Sequence, residues 1–188
     1  RRMFDETLTR RLRDALDASN VLLSKALLLQ RDGDVVDLDG SSIPSFSIAP
    51  GNYWVSARHR NHFGAMSAAP LGLSAAVTAL DLRDPATQTF GTDARATNGI
   101  HRLLWCGNTL RAAAGTEVIR YTGAENDRDP ILAQVGGTLP TGTWVGYTNN
   151  DVNMDGVVKY TGANNDRDPI LMNIGGSVPT STVAEQLD

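Results

Sequence analysis

Residues 121 to 141, YTGAENDRDPILAQVGGTLPT, recur as residues 160 to 180, YTGANNDRDPILMNIGGSVPT, with 15 of 21 positions identical. Identity that high at a fixed offset marks a duplicated structural unit, so one copy must fold much as the other does. Two copies are fewer than a solenoid needs, and the units are expected to pack on each other as a pseudo-twofold pair. The match reaches back to Trp105 and Trp144, each followed two residues later by glycine, which sets copies of about 105–143 and 144–182.

Each copy carries the marks of a short helix. Pro169 suits a first helical turn, Asp168 stands where an N-cap is wanted, and Gly175 follows PILMNI as a stop signal. Ile170, Leu171 and Ile174 are the expected buried face, matched in the first copy by Ile131, Leu132 and Val135 between Asp129, Pro130 and Gly136.

The segment before the second helix, DVNMDGVVKY, has the grammar of a calcium loop. Such loops alternate short oxygen ligands on a tightly turning chain, as D-x-[DN]-x-[DN]-G. Asp151, Asn153, Asp155 and Gly156 satisfy that pattern, and Val157 can add its backbone carbonyl. The twelfth position, normally a bidentate glutamate, is Gly162. Closure therefore needs an extended loop that brings in Asp166, because Asp168 is wanted as the cap. The expected cofactor is calcium, held by Asp151, Asn153, Asp155, Val157 and Asp166. At the fixed offset the first copy presents Ala112, Ala114 and Thr116, with Glu117 in place of the glycine, so only a weak site through Glu117 and Asp127 remains open to it.

The N-terminal half reads differently. Residues 8 to 16 are expected as a strand, VLLSKALLLQ as another, and RDGD as a hairpin turn, since Asp-Gly supplies positive φ. SFSI reads as a short strand, and YWVSARHR as a longer one with Tyr53, Val55 and Ala57 on one face. The fold class expected is mainly β with a small α part: an Ig-like antiparallel β-sandwich over 1–84, a connecting loop over 85–100, and the duplicated module over 101–188. Asp32, Asp34, Asp37 and Asp39 are read as outward side chains of the hairpin rather than a second metal site.

Composition narrows the function. Net charge is -4 and no basic stripe is present, which speaks against a nucleic-acid partner. Seventeen of the 21 carboxylates are aspartate, a bias toward turns and oxygen-ligand loops. Cys106 is the single cysteine, so neither an internal disulfide nor a multi-cysteine zinc site can form. No apolar run of about 20 residues occurs, and no membrane insertion is expected. The opening RRMFDETLTR, without an initiator methionine or apolar signal segment, reads as a processed chain or a fragment. Catalysis has one starting point, His59 and His62 in RHRNH, whose i, i+3 spacing sends them to opposite faces of a strand unless the chain turns at Asn61. No nucleophile, zincin or phosphate-loop motif occurs, so no enzymatic activity is expected.

The stretches DVNMDGVVKYTGANNDRDPILMNIGGSVPTSTVAEQL, LLQRDGDVVDLDG and GNYWVSARHRNHFGAMS resemble the C-terminal modules of large secreted surface proteins of Bacteroidota, described as haemagglutinin-like or adhesin-like. Their second module is similar to dockerin, the duplicated calcium-dependent domain of cellulosome assembly, and that similarity implies Asp151, Asn153 and Asp155 as ligands. The extended loop and the stripped first copy depart from the dockerin pattern and speak against a cohesin partner. The resemblance implies an extracellular or cell-surface location. The expected function is that of a noncatalytic adhesive or structural module with another protein as partner. Two further readings are a self-associating filament subunit and a carbohydrate-binding module using Tyr53, Trp54 and Trp144.

Overall fold

A computed structural model of the chain describes residues 4–111 and 117–187. It is mainly β, with two short helices, and divides into two compact units. The first contains the chain up to His59, Gly64–Leu104 and Leu187; the second contains Arg60–Phe63 and Trp105–Gln186. Among the described residues no helix is long and apolar enough to cross a membrane.

In the first unit, β1 (Phe4–Asp14) pairs antiparallel with β2 (Val21–Gln30) on one side and with β4 (Gly51–His59) on the other. The β2 strand turns through Gly33, at φ 89°, into β3 (Val35–Val36), as the Asp-Gly signal predicts. Two short strands, β5 (Ala65–Met66) and β6 (Leu71–Leu73), both pair with β4. Leu8 and Leu12 on β1, Leu27 on β2 and Val55 and Ala57 on β4 are all buried on one face, following the two-residue period of a strand. The strands expected as a sandwich thus lie in one curled six-stranded antiparallel sheet, joined by a ribbon of β7 (Ala96–Thr97) and β8 (Arg102–Leu103).

Two local expectations fail. SFSI has no ladder partner and is irregular chain. Residues 85–100 are not a free connection, because Arg95 is buried and its guanidinium donates to the carbonyls of Leu82, Asp84 and Thr87, tying the segment into the first unit.

The second unit is built from β9 (Val118–Arg120), α1 (Arg128–Gln134), β10 (Thr143–Val145), β11 (Val157–Lys159), α2 (Arg167–Asn173) and β12 (Thr182–Ala184). The boundary expected at 143/144 falls inside β10, and with the units redrawn as strand–helix–strand over 118–145 and 157–184 the strands pair across the repeat rather than within it. The β10 strand of one copy joins β11 of the other with Trp144 opposite Val158, and β12 joins β9 with Val183 opposite Ile119. These are equivalent registers under the 39-residue offset. Thr122 donates to the Pro179 carbonyl and Thr161 to the Pro140 carbonyl, each at 2.8 Å, which repeats the exchange in side-chain bonds. Ile119, Ile131 and Val135 share one core with Val158, Ile170 and Ile174, so neither copy has a hydrophobic centre of its own.

Candidate metal centre

The helix starts position the site. Helix α2 begins at Arg167 with Asp166 as the residue before it, so Asp168 lies in the first turn and is not the N-cap. The capping oxygen comes from Asn165, whose Oδ1 accepts the Asp168 N–H at 3.0 Å while its Nδ2 donates to Asp168 Oδ2 at 2.8 Å. That exchange is like a capping box, except that Asp168 accepts from the Asn165 side-chain amide rather than from its backbone N–H. Asn126 and Asp129 make the same pair at α1. Both helices stop at a Gly-Gly pair with positive φ, the conformation glycine alone adopts without strain.

Relieved of capping, Asp166 does something else. Its side chain is fully buried; Oδ1 accepts the N–H groups of Val152 (2.7 Å) and Asn153 (3.2 Å), and Oδ2 accepts that of Lys159 (2.8 Å). One carboxylate therefore staples the start of the loop to β11 and to the head of α2. Three of its roughly four acceptor positions are used by backbone amides, which leaves it no bidentate contact to give. Burial outweighs these three donors and pushes its pKa up to about 6.

The loop between is coiled by side chains bonding their own backbone. Asn153 Oδ1 accepts the Asp155 N–H and Asp155 Oδ1 accepts the Val157 N–H, both at 2.9 Å. Met154 and Gly156 take positive φ, 62° and 82°, to bring the chain round. Asp151 lies fully buried at the loop entrance. Its Oδ2 accepts the Gly156 N–H and the Arg60 guanidinium, each at 3.2 Å. Its Oδ1 is buried and has no hydrogen-bond donor. Burial raises the Asp151 pKa, and the Arg60 hydrogen bond and charge oppose the rise.

The structure thus brings Asp151, Asn153, Asp155 and Asp166 into one loop, with Val157 at the first position of β11. Asp155 is exposed and Val157 half-buried. Among the described residues no three His, Cys, Asp or Glu side chains form a metal-holding group, so an ion here must also draw on amide and backbone oxygens. A hard, oxygen-seeking cation such as calcium takes such a mixed set. The donorless Asp151 oxygen and the surplus of carboxylates over Arg60 are what fit it to the loop.

Arg60 and Asn61 were not legible as part of this site. The β4 strand ends at His59 and the chain bends at Arg60 and Asn61, so strand spacing does not govern the two histidines. Arg60 reaches Asp151 and lies over the Tyr147 ring. Asn61, fully buried, donates to the carbonyls of Asp151 (2.7 Å) and Asn149 (3.2 Å). His62 shares a 2.7 Å hydrogen bond with Asn61 Oδ1 through Nδ1. The sequence signal for Arg60 and Asn61 is the polar run RHRNH itself.

The first copy repeats the staple and has an amide in place of the buried Asp151 carboxylate. Asp127, 1% exposed, accepts the N–H groups of Thr109 (2.9 Å), Leu110 (3.1 Å) and Arg120 (2.8 Å), as Asp166 does for Val152, Asn153 and Lys159. The staple spans 18 residues from Thr109 and 14 from Val152, so the first loop is longer by 18 − 14 = 4 and the fixed offset fails inside it. The residue in the place of Asp151 is therefore Asn108, not Ala112. Ala112, Ala114 and Thr116 lie outside the described residues. Asn108 Nδ2 donates to Glu117 Oε2, so a neutral amide paired with a carboxylate stands where the second copy has the Asp151 carboxylate accepting the Gly156 N–H.

No family model, no curated protein and no solved structure matches the chain.

Proposed function

We propose that the chain is a noncatalytic structural or adhesive module of an extracellular or cell-surface protein, with a dockerin-like duplicated unit that holds one calcium ion in its second copy. The carrying observation is the buried Asp151 carboxylate, one oxygen of which has no donor, in the same loop as the buried Asp166 carboxylate. Uncompensated buried carboxylates are costly, and a divalent ion neutralises them while binding the loop's other oxygens. When bound, calcium supplies charge neutralisation and cross-linking of the loop. The residues prepare the site for it: Asn153 and Asp155 coil the chain, Gly156 turns it, and Asp166 fixes both ends.

A structural role is also supported by what the reactive side chains are doing. Burial pushes the Cys106 thiol pKa up, and Asn173 Nδ2 donates to its sulfur at 3.0 Å, a setting unlike that of a nucleophilic thiolate. Interlocked copies sharing one core suit a load-bearing unit. The test is calorimetric titration of the metal-free protein with calcium. One ion bound, lost in Asp151→Asn, agrees with the proposal; the absence of binding at millimolar calcium removes it.

A further inference from the structure

The first unit holds a groove of about 460 Å³ over the inward face of its sheet, within the size range of small-molecule sites. Leu12 and Val55 contribute to its floor, and Phe46, Ile48, Leu71 and Leu73 to its walls. Arg10 also lines it. On β1, Arg10 occupies the inward position between Leu8 and Leu12, both buried, where the strand pattern calls for another apolar side chain.

The neighbours of Arg10 do not balance its charge. Directly across on β2 is Lys25 and directly across on β4 is Ala57. Like charges in facing positions repel. Lys25 is neutralised by its own ion pair with Asp37 at 2.5 Å and by the Ser45 carbonyl at 2.8 Å, so the local carboxylate is already engaged. Among the described residues Arg10 has neither an ion pair nor a hydrogen bond, and its Nε is buried without a partner. Burial accordingly depresses its pKa.

We infer that this groove is a binding site for a small amphiphile with one carboxylate and an aliphatic body, of the fatty-acid class, whose head group pairs with Arg10. The argument is charge complementarity. The half-buried Arg10 side chain has no counter-charge among the described residues, and a ligand carboxylate would offset its partial desolvation through a charge-assisted, bidentate contact. The apolar walls take the chain. A saccharide fits poorly, since Phe46 is the one aromatic ring in the lining and the walls are mainly aliphatic. This site is independent of the calcium loop, which belongs to the other unit.

The test compares decanoate with 1-decanol, binding measured by calorimetry and by protein amide shifts in the intact chain. Decanoate binds 1:1 and at least tenfold more tightly than decanol; Arg10→Met removes that preference and leaves decanol affinity unchanged. Because Met lifts the uncompensated charge, the empty Arg10→Met protein melts at or above the temperature of the unaltered chain, so a binding defect is separable from misfolding. Arg10→Lys retains part of the preference. Equal binding of acid and alcohol, unaltered decanoate binding by Arg10→Met, or association only with phosphatidylglycerol vesicles and not with monomeric decanoate would each overturn the assignment.

Discussion

Burial, and to a smaller extent the charge of Asp151, which pairs with Arg60 at 3.2 Å, raises the proton affinity of Asp166. Two carboxylates and one guanidinium leave the loop a cation short. From that imbalance the behaviour of the second unit follows.

Calcium is expected to raise the melting temperature by binding the folded state alone. At free calcium about a hundredfold above the dissociation constant the gain is about 2.7 kcal/mol. Asp155→Ala, at an exposed position, removes the calcium-dependent rise and costs little without the ion. Differential scanning calorimetry with and without calcium reads both. An unchanged melt on adding calcium would leave the loop an ordinary Asx-rich turn.

Arg60 and calcium neutralise the same carboxylate, so losing one should increase reliance on the other. Arg60→Gln is expected to lower stability without calcium by about 3 kcal/mol, the scale of breaking a buried ion pair. The calcium-induced rise in melting temperature should then exceed that of the unaltered protein. A rise smaller than that would show that Arg60 does not act through Asp151.

The raised pKa of Asp166 has a sign that can be checked. Its ordinary value is 3.8 and its folded value about 6, with burial the main cause, so between those limits the folded chain binds more protons than the unfolded one. In the absence of calcium, this group's contribution to stability falls as pH rises from about 4 to about 6 and stays low above that. Calcium requires the ionised carboxylate, so its affinity should weaken as pH drops below about 6. Urea melts and calcium titrations at pH 5 and pH 7 distinguish the two trends, and Asp166→Asn should flatten both.

Asp127 should matter to stability as much as Asp166, since it makes the same three backbone contacts. Asp127→Ala orphans three backbone amides and is expected to cost on the order of 3 kcal/mol, equally with and without calcium. Because the copies exchange strands and share a core, the second unit should unfold in a single transition. Loss of amide-exchange protection in α1 and α2 at different urea concentrations would refute the interlocked arrangement.

The helix caps can be separated by substitution. Asn165→Ala removes the acceptor for the first turn and should cost about 1 kcal/mol. Asp168→Ala removes only the reciprocal bond and should cost less, as read by chemical denaturation.

What the sequence determined by itself was local. The duplication, the helices and their glycine stops, the Asp-Gly hairpin and the coiled Asp151–Gly156 loop are written in residues a few positions apart, where backbone conformation is set by adjacent side chains. Tertiary structure decided the rest. Which strands pair across the repeat, that Asn165 caps while Asp166 staples, that Asn108 takes the place of Asp151, and that Arg60 reaches that carboxylate all depend on segments far apart in the chain meeting in space. A fixed offset could not find Asn108 because the first loop is four residues longer, while the staple that defines equivalence is kept. Nor could strand periodicity reveal that Arg10 has no counter-charge among the described residues, since that depends on which residues β2 and β4 place beside it and on Asp37 being engaged by Lys25.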